Sequence, residues 1–497
     1  MRIRPSLRFI EQRDYNSPLP FHPPERFPEL SWLPANTCPG NTIYAGVRGL
    51  LRSLDYDSSR FGSADWSPLS DLVSRGGTVV LKPNFVRHYS ENPSGTVDTV
   101  VTHLSVLRPL IDYALLAVGP AGRVIVADAP QYDCDIDILL AHNGLPDLLD
   151  WYETRVDRKV SFRDLRVQFG RHENGIILER RDLPGDPEGY STVDLGAESA
   201  FARMGERHLR LLRGADYDEE VTIHHHSGGR NQYLVSRTVL NADLVINCPK
   251  IKTHKKAGIT LSMKNLIGIN GDKNWLPHYR AGFVAGGGDE FPAPDAYTRV
   301  RRIGGEVARR LLKRGVGGSV FRRIRAAENA TSLSDRARNG NWWGNDTIWR
   351  TCLDLNKVLY RGDADGGING PPSRRVLNVY DGVVAGERNG PMGPDARPIG
   401  LLAAGEDPGA ADAVLTSVMG FDWRRIPVLR NAIEDPSESR ITKFDGEADG
   451  LPVHWTDHEG ERELRFSEAD LNLQFAAHPG WAGRIERESP GGDECAS

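Results

Sequence analysis

Two short, uninterrupted apolar runs, TVVL at 78–81 and VIVA at 124–127, bracket an apolar segment of helical spacing, THLSVLRPLIDYALLAVG at 102–119. Strands that are apolar throughout must be covered on both faces, and a strand–helix–strand order places the two strands side by side and parallel. Gly119 supplies the helix stop. This pattern restricts the chain to an α/β fold, a mainly parallel sheet with helices on both faces. Further apolar strands are expected at LVIN (244–247) and in RRVLNVYDGVVAG, with Asp381 and Gly382 at the latter's end; GLLAAGEDPGAADAVLTSVMG reads as strand, turn and helix.

The domain reading follows from where these signals lie. Residues 1–70 are Pro-rich (SPLPFHPPERFPEL) and expected to be irregular. Residues 71–425 form the α/β core, with insertions near 150–235 and 280–370, and 426–497 are expected to form an irregular C-terminal extension. Of 497 residues, 39% are hydrophobic and 26% charged, enough to bury a core and too apolar for bulk disorder. The net charge of −5 argues against a whole-protein nucleic-acid binder. The five cysteines are widely spaced and form no CxxC pair, so no iron–sulphur cluster is expected. MRIRPSLRFIEQRDYN has no apolar run of signal-peptide length, and no stretch approaches a membrane span, so a cytoplasmic protein is expected. The Arg-rich stretch 299–325, with Val300, Ile303, Val307 and Leu311 at helical spacing, either packs its apolar stripe on the core or makes weak contact with a membrane surface.

In open α/β sheets ligands bind at the carboxyl ends of the strands, and polar residues follow the strands here. Lys82-Pro83-Asn84 and Asp128 come after the first two. PKIKTHKKAGITLSMKNLIG follows the third, placing Lys250, Lys252, His254, Lys255, Lys256 and Lys264 within fifteen residues. Clustered ammonium groups attract an anion and depress one another's pKa, while a solvated basic loop is the plainer alternative. Alternation along an extended chain would send Lys250, Lys252 and His254 to one side. Asp412, inside AADAV, faces either the sheet edge or water. His103 either opens a helix or belongs to a site. His224-His225-His226 is a weak compositional hint of metal.

The ordered set VVLKPNFV, VIVADAP, DLVINCPKIKTH, TLSMKNLIGI, VYDGVVAGERNGPMG and AAGEDPGAADAVLTSVMG resembles the family called domain of unknown function 362, over roughly residues 77–420. Many members carry a cysteine-rich ferredoxin module, which this chain lacks. The part around His103 and Asp128 is also faintly similar to the nickel-cofactor lactate racemase type.

The expected function is that of an enzyme acting on a phosphate- or carboxylate-bearing small molecule. His254, Lys252 and Lys264 are the catalytic candidates. Lys82, Asn84, His103, Lys250, Thr260 and Asn265 are the substrate-binding ones. Asp128, Asp381 and Glu387 are the candidate ligands of a divalent metal, the one cofactor considered. The alternative is a non-catalytic anion-binding or membrane-surface accessory protein.

Overall fold

The computed structural model describes residues 2–487 except 174–175, 215–217, 295–297, most of 301–338, 369, 371–373 and 436–439. An eleven-stranded mixed sheet organises the chain. Its strands are β1 (Ser6–Phe9), β2 (Thr78–Pro83), β3 (Arg123–Asp128), β4 (Val160–Asp164), β5 (Leu244–Cys248), β6 (Lys250–His254), β7 (Gly258–Thr260), β8 (Arg375–Glu387), β9 (Asp395–Gly405), β10 (Pro452–Asp457) and β11 (Gly460–Arg465). The spatial order is β11-β10-β1-β9-β8-β5-β2-β3-β4, with β6 pairing β8 and β7. The run β8-β5-β2-β3-β4 is wholly parallel, and β9 closes it antiparallel to β8. The fold is therefore α/β and mainly parallel.

Alternation within each strand decides which layer each side chain joins. Val79, Leu81, Val124, Val126, Leu244 and Ile246 pack with α1 (Thr42–Ser53) and α2 (Leu104–Val118) on one face. Val80, Ile125, Ala127, Val245 and Tyr380 pack with α3 (Ile348–Arg361) and α4 (Pro408–Met419) on the other. Gly119 ends α2 with φ 67°, a conformation that suits glycine.

The chain runs outward from β2 through β3 to β4, then returns to the other side of β2 through β5 and β8. The order reverses between β2 and β5. At such a switch point the connections leave in opposite directions and open a crevice at the strands' carboxyl ends.

Three expectations need correction. Residues 1–70 are not merely irregular: β1 inserts between β9 and β10, and α1 buries Ile43, Tyr44, Val47, Leu50 and Leu51. The C-terminal extension adds β10 and β11 to the same sheet. Asp381 does not end its strand, because β8 continues to Glu387 as one arm of a long hairpin with β9. The insertion at 150–235 does contribute small two-stranded sheets, such as Tyr190–Asp194 with Gln232–Ser236. Most of the basic stretch 299–325 lies outside the described residues. No described helix is long and apolar enough to cross a membrane.

Candidate functional site

A cavity of about 840 Å³ opens at the switch point. Its wall includes Lys82, Arg87, Lys252, Lys255, Lys256, Lys264 and Lys273, seven cations, against Glu91, Asp128, Asp133 and Asp395, four carboxylates. His254, His278, His478, Asn84, Thr260 and Asn265 also line it.

At its floor, Lys82 Nζ donates to Asp128 Oδ1 (2.7 Å), Pro83 O (2.9 Å) and Asn265 Oδ1 (3.4 Å). All three ammonium donors are used within the protein, so Lys82 positions Asn265 and is not the substrate-orienting group expected. Asp128 is likewise occupied, its Oδ2 accepting from the Phe85 N–H at 2.8 Å. Burial pushes the Lys82 pKa down and the Asp128 pKa up, while each partner's charge opposes the shift. Gly268 lies directly over the pair. A Cβ there would collide with Asp128 Oδ1 and Lys82 Nζ, which explains the glycine in the KNLIG segment.

The short helix Ser262–Asn265 carries Lys264 and Asn265 to the wall, and Asp412 holds it from below. The Asp412 carboxylate accepts from Ser262 N (3.0 Å), Ser262 Oγ (2.7 Å), Met263 N (3.1 Å) and Tyr380 Oη (2.7 Å). Asp412 thus faces a helix N-terminus, not water, and burial raises its pKa to about 6. Lys264 itself has no ion-pair or hydrogen-bond partner among the described residues, and burial lowers its pKa.

Lys252 and His254 come from β6, which is buried throughout. Lys252 Nζ donates to Val100 O. Burial, then the charges of Lys250 and Lys264, hold its pKa well below the usual lysine value. His254 Nδ1 accepts two backbone N–H bonds, from Lys256 (3.0 Å) and Ala257 (3.1 Å). Its proton therefore sits on Nε2, and burial and four nearby lysines keep the ring neutral. A base at Nε2 would need the proton on Nδ1, where two donors already point. Of the catalytic candidates, His254 is thus a neutral hydrogen-bond donor that does not accept a proton at Nε2. His278 is fixed the other way: Nδ1–H donates to Leu276 O at 2.8 Å, leaving Nε2 as its acceptor atom. His478 accepts from Gly480 N at 3.0 Å and is a donor like His254. Burial and nearby lysines lower the pKa of His278 to about 3 and of His478 to about 4. Lys273 donates to Ile267 O (3.2 Å) and Asn270 O (3.1 Å), and burial brings it to about 7.

The remaining predicted residues form a second cluster away from this cavity. Lys250 Nζ donates to Asp381 Oδ2 (3.0 Å) and to Tyr15 Oη (2.6 Å). Asp381 also accepts from Tyr15 Oη and, at 2.9 Å, from the His103 N–H. His103 caps α2, its Nδ1 accepting from Ser105 N at 3.2 Å, and stacks on Tyr15 with ring centroids 4.0 Å apart. Lys250 parts from Lys252 because the pairing with β8 slips between them: Lys250 sits opposite Asp381 and Lys252 opposite Gly386. A bulge of this kind breaks the alternation that would have kept them together. Glu387 lies elsewhere again, accepting from Ala476 N at 2.9 Å. Asp128, Asp381 and Glu387 therefore do not share a metal site, and the described residues hold no group of three metal-type ligands. The His224–His226 run is structural: His225 stacks on Trp275, and His226 Nε2 donates to Trp275 O at 2.8 Å.

Sequence reading missed Lys273, His278 and His478. Lys273 opens a single helical turn (Lys273–Trp275) and His278 and His478 stand in loops, none with a pattern around it. Asn378, a polar residue inside the apolar run VLNVY, was a usable signal that went unread.

The profile of the family described as "Domain of unknown function (DUF362)" matches residues 182–417, bearing out the family resemblance. A thylakoid-associated protein of Synechocystis sp. is 24% identical over 231 residues, 45% of this chain and 48% of that protein. The chain thus matches about half the length of that curated relative. A crystal structure of a Thermotoga maritima protein is 10% identical, covering 71% of this chain and 54% of the other with a TM-score of 0.30.

Proposed function

We propose, for a chain whose residues 182–417 match the domain of unknown function 362 family, that the switch-point cavity binds a phosphate- or carboxylate-bearing small molecule and acts on it as an enzyme. One observation carries this reading: Lys264 and Lys252 line the cavity, and among the described residues no carboxylate is paired to either. An ammonium buried without a charged partner, as Lys252 is, is costly, and a bound anion offsets that cost. His254, a neutral Nε2–H donor, would hydrogen-bond an oxygen on which negative charge develops.

Titration calorimetry with inorganic phosphate and with pyrophosphate tests the reading. Binding is expected, and Lys264→Gln should weaken it about tenfold to a hundredfold, the value of one hydrogen bond to a charged group. No heat at millimolar ligand, or equal binding by the variant, would refute it.

A second reading is a membrane-surface accessory protein. It draws on the exposed apolar side chains Val300, Ile303 and Val307 in the basic stretch and on the thylakoid association of the relative. Sedimentation with anionic vesicles at low salt tests it, and a protein left wholly in the supernatant would remove it.

A further inference from the structure

Four buried asparagines run in single file from the far side of the sheet to the cavity: Asn378 on β8, Asn247 on β5, Asn265 on the 262–265 helix, and Asn84 after β2. The carbonyl of each accepts an N–H from the next, and the direction is fixed at several points. Asn378 Nδ2 donates to Gly405 O (3.2 Å), so its Oδ1 accepts from Asn247 Nδ2 (2.9 Å). Asn247 Nδ2 also donates to Ser262 O (3.1 Å), so its Oδ1 accepts from Asn265 Nδ2 (2.8 Å). Asn265 Oδ1 then accepts from Asn84 Nδ2 (2.8 Å) and from Lys82, an ammonium that can only donate. No amide can flip without placing donor against donor or acceptor against acceptor. The chain of bonds therefore ends on Asn84 Oδ1 as an acceptor, and that atom is buried with no partner among the described residues. On the wall of the same cavity the Thr260 hydroxyl is also buried and unpartnered; Thr260 is 3% exposed.

Buried polar atoms of a folded protein are nearly always paired, so two orphans on one cavity wall mark contacts that a ligand completes. Asn84 Oδ1 needs a donor. An ammonium is a poor choice, because the surrounding lysines repel it. A hydroxyl donates to Asn84 Oδ1 without charge, and a second hydroxyl or an anionic oxygen can pair with Thr260 Oγ1. The volume of about 840 Å³ exceeds the need of an inorganic anion and lies in the range of organic-ligand sites.

We infer that the cavity selects hydroxylated organic anions, the lysines holding the anionic group and Asn84 with Thr260 reading a hydroxyl. This rests on the anion-site reading above and adds the substrate class.

The test compares matched pairs by calorimetry: glycerol 3-phosphate against n-propyl phosphate, and glycerate against propanoate. The hydroxylated member of at least one pair is expected to bind at least about tenfold tighter, because a site built to hydrogen-bond a hydroxyl penalises its absence. The pair that shows it identifies the anionic group as phosphate or carboxylate. Thr260→Val and Asn84→Ala should each shrink that ratio, and retention of the wild-type ratio by both variants would overturn the inference. Thr260→Val is nearly isosteric and guards against a folding artefact at Asn84. If inorganic phosphate binds but both pairs bind equally, the hydroxyl inference fails and the anion site stands. If no anion binds at all, the underlying reading fails with it.

Discussion

Replacing Lys82 by methionine isolates the ion pair under the site. Lys82 and Asp128 are both buried, so the substitution leaves a carboxylate in the interior with one backbone N–H bond, from Phe85. Breaking a buried pair from one side costs about 3–5 kcal/mol. Unfolding entropy of about 2.1 cal/mol/K per residue, over 497 residues, is about 1 kcal/mol/K for a chain that melts as one unit. Lys82→Met should therefore lower Tm by about 3–5 °C in differential scanning calorimetry. Asp128→Leu should cost at least as much, since it strands the ammonium and the Phe85 N–H. The double variant Lys82→Met/Asp128→Leu should fall by only about 1–3 °C, the share of the lone Phe85 N–H, because apolar groups replace a buried pair at little cost. Gly268→Ala, whose methyl must displace one partner, should approach the single variants. A Lys82→Met protein within 1 °C of wild type, or a double variant falling by the sum of the singles, would refute the account.

Three further outcomes are expected. Asp381→Asn should lower Tm yet leave phosphate affinity within about twofold, because Asp381 serves the Tyr15–Lys250–His103 cluster and not the cavity; a large loss of affinity would contradict the separation of the two clusters. Sulfate, whose charge is constant between about pH 5 and 9, should bind more tightly as pH falls. Burial holds Lys252, Lys264 and Lys273 below their ordinary pKa in the free protein, and a bound anion raises them, so binding takes up protons; calorimetry in buffers of different ionisation enthalpy that shows no uptake would overturn this. Lys273 should titrate near pH 7, which trace acetylation across pH read by mass spectrometry would show as a midpoint far below that of surface lysines; a midpoint near 10 would contradict it.

The strands and helices that carry the site were legible because their signal is local. VVL, VIVA and LVI are apolar at every position, and such runs are stable only between two layers. The 102–119 helix announced its own end at Gly119. α1 was equally periodic, with Ile43, Val47, Leu50 and Leu51 on one face, but the prolines before it drew the reading toward irregular chain. Lys82, Asn84, Asp128, Lys252, His254, Thr260, Lys264 and Asn265 do meet at one cavity, as their positions after strands suggested.

Residue type and spacing thus determined the α/β architecture, the strand-end location of the site and its cationic character, since these depend on hydrophobic period and on which groups carry charge. Tertiary structure alone decided which of those groups remain available. The slipped pairing between β6 and β8 diverted Lys250 to Asp381, saturated donors tied Lys82 to Asp128, and segments outside the strands brought His278, Lys273 and His478 to the cavity wall. The reason is that hydrogen-bond saturation and strand register are pairwise properties of residues far apart in the chain, fixed only when the backbone closes.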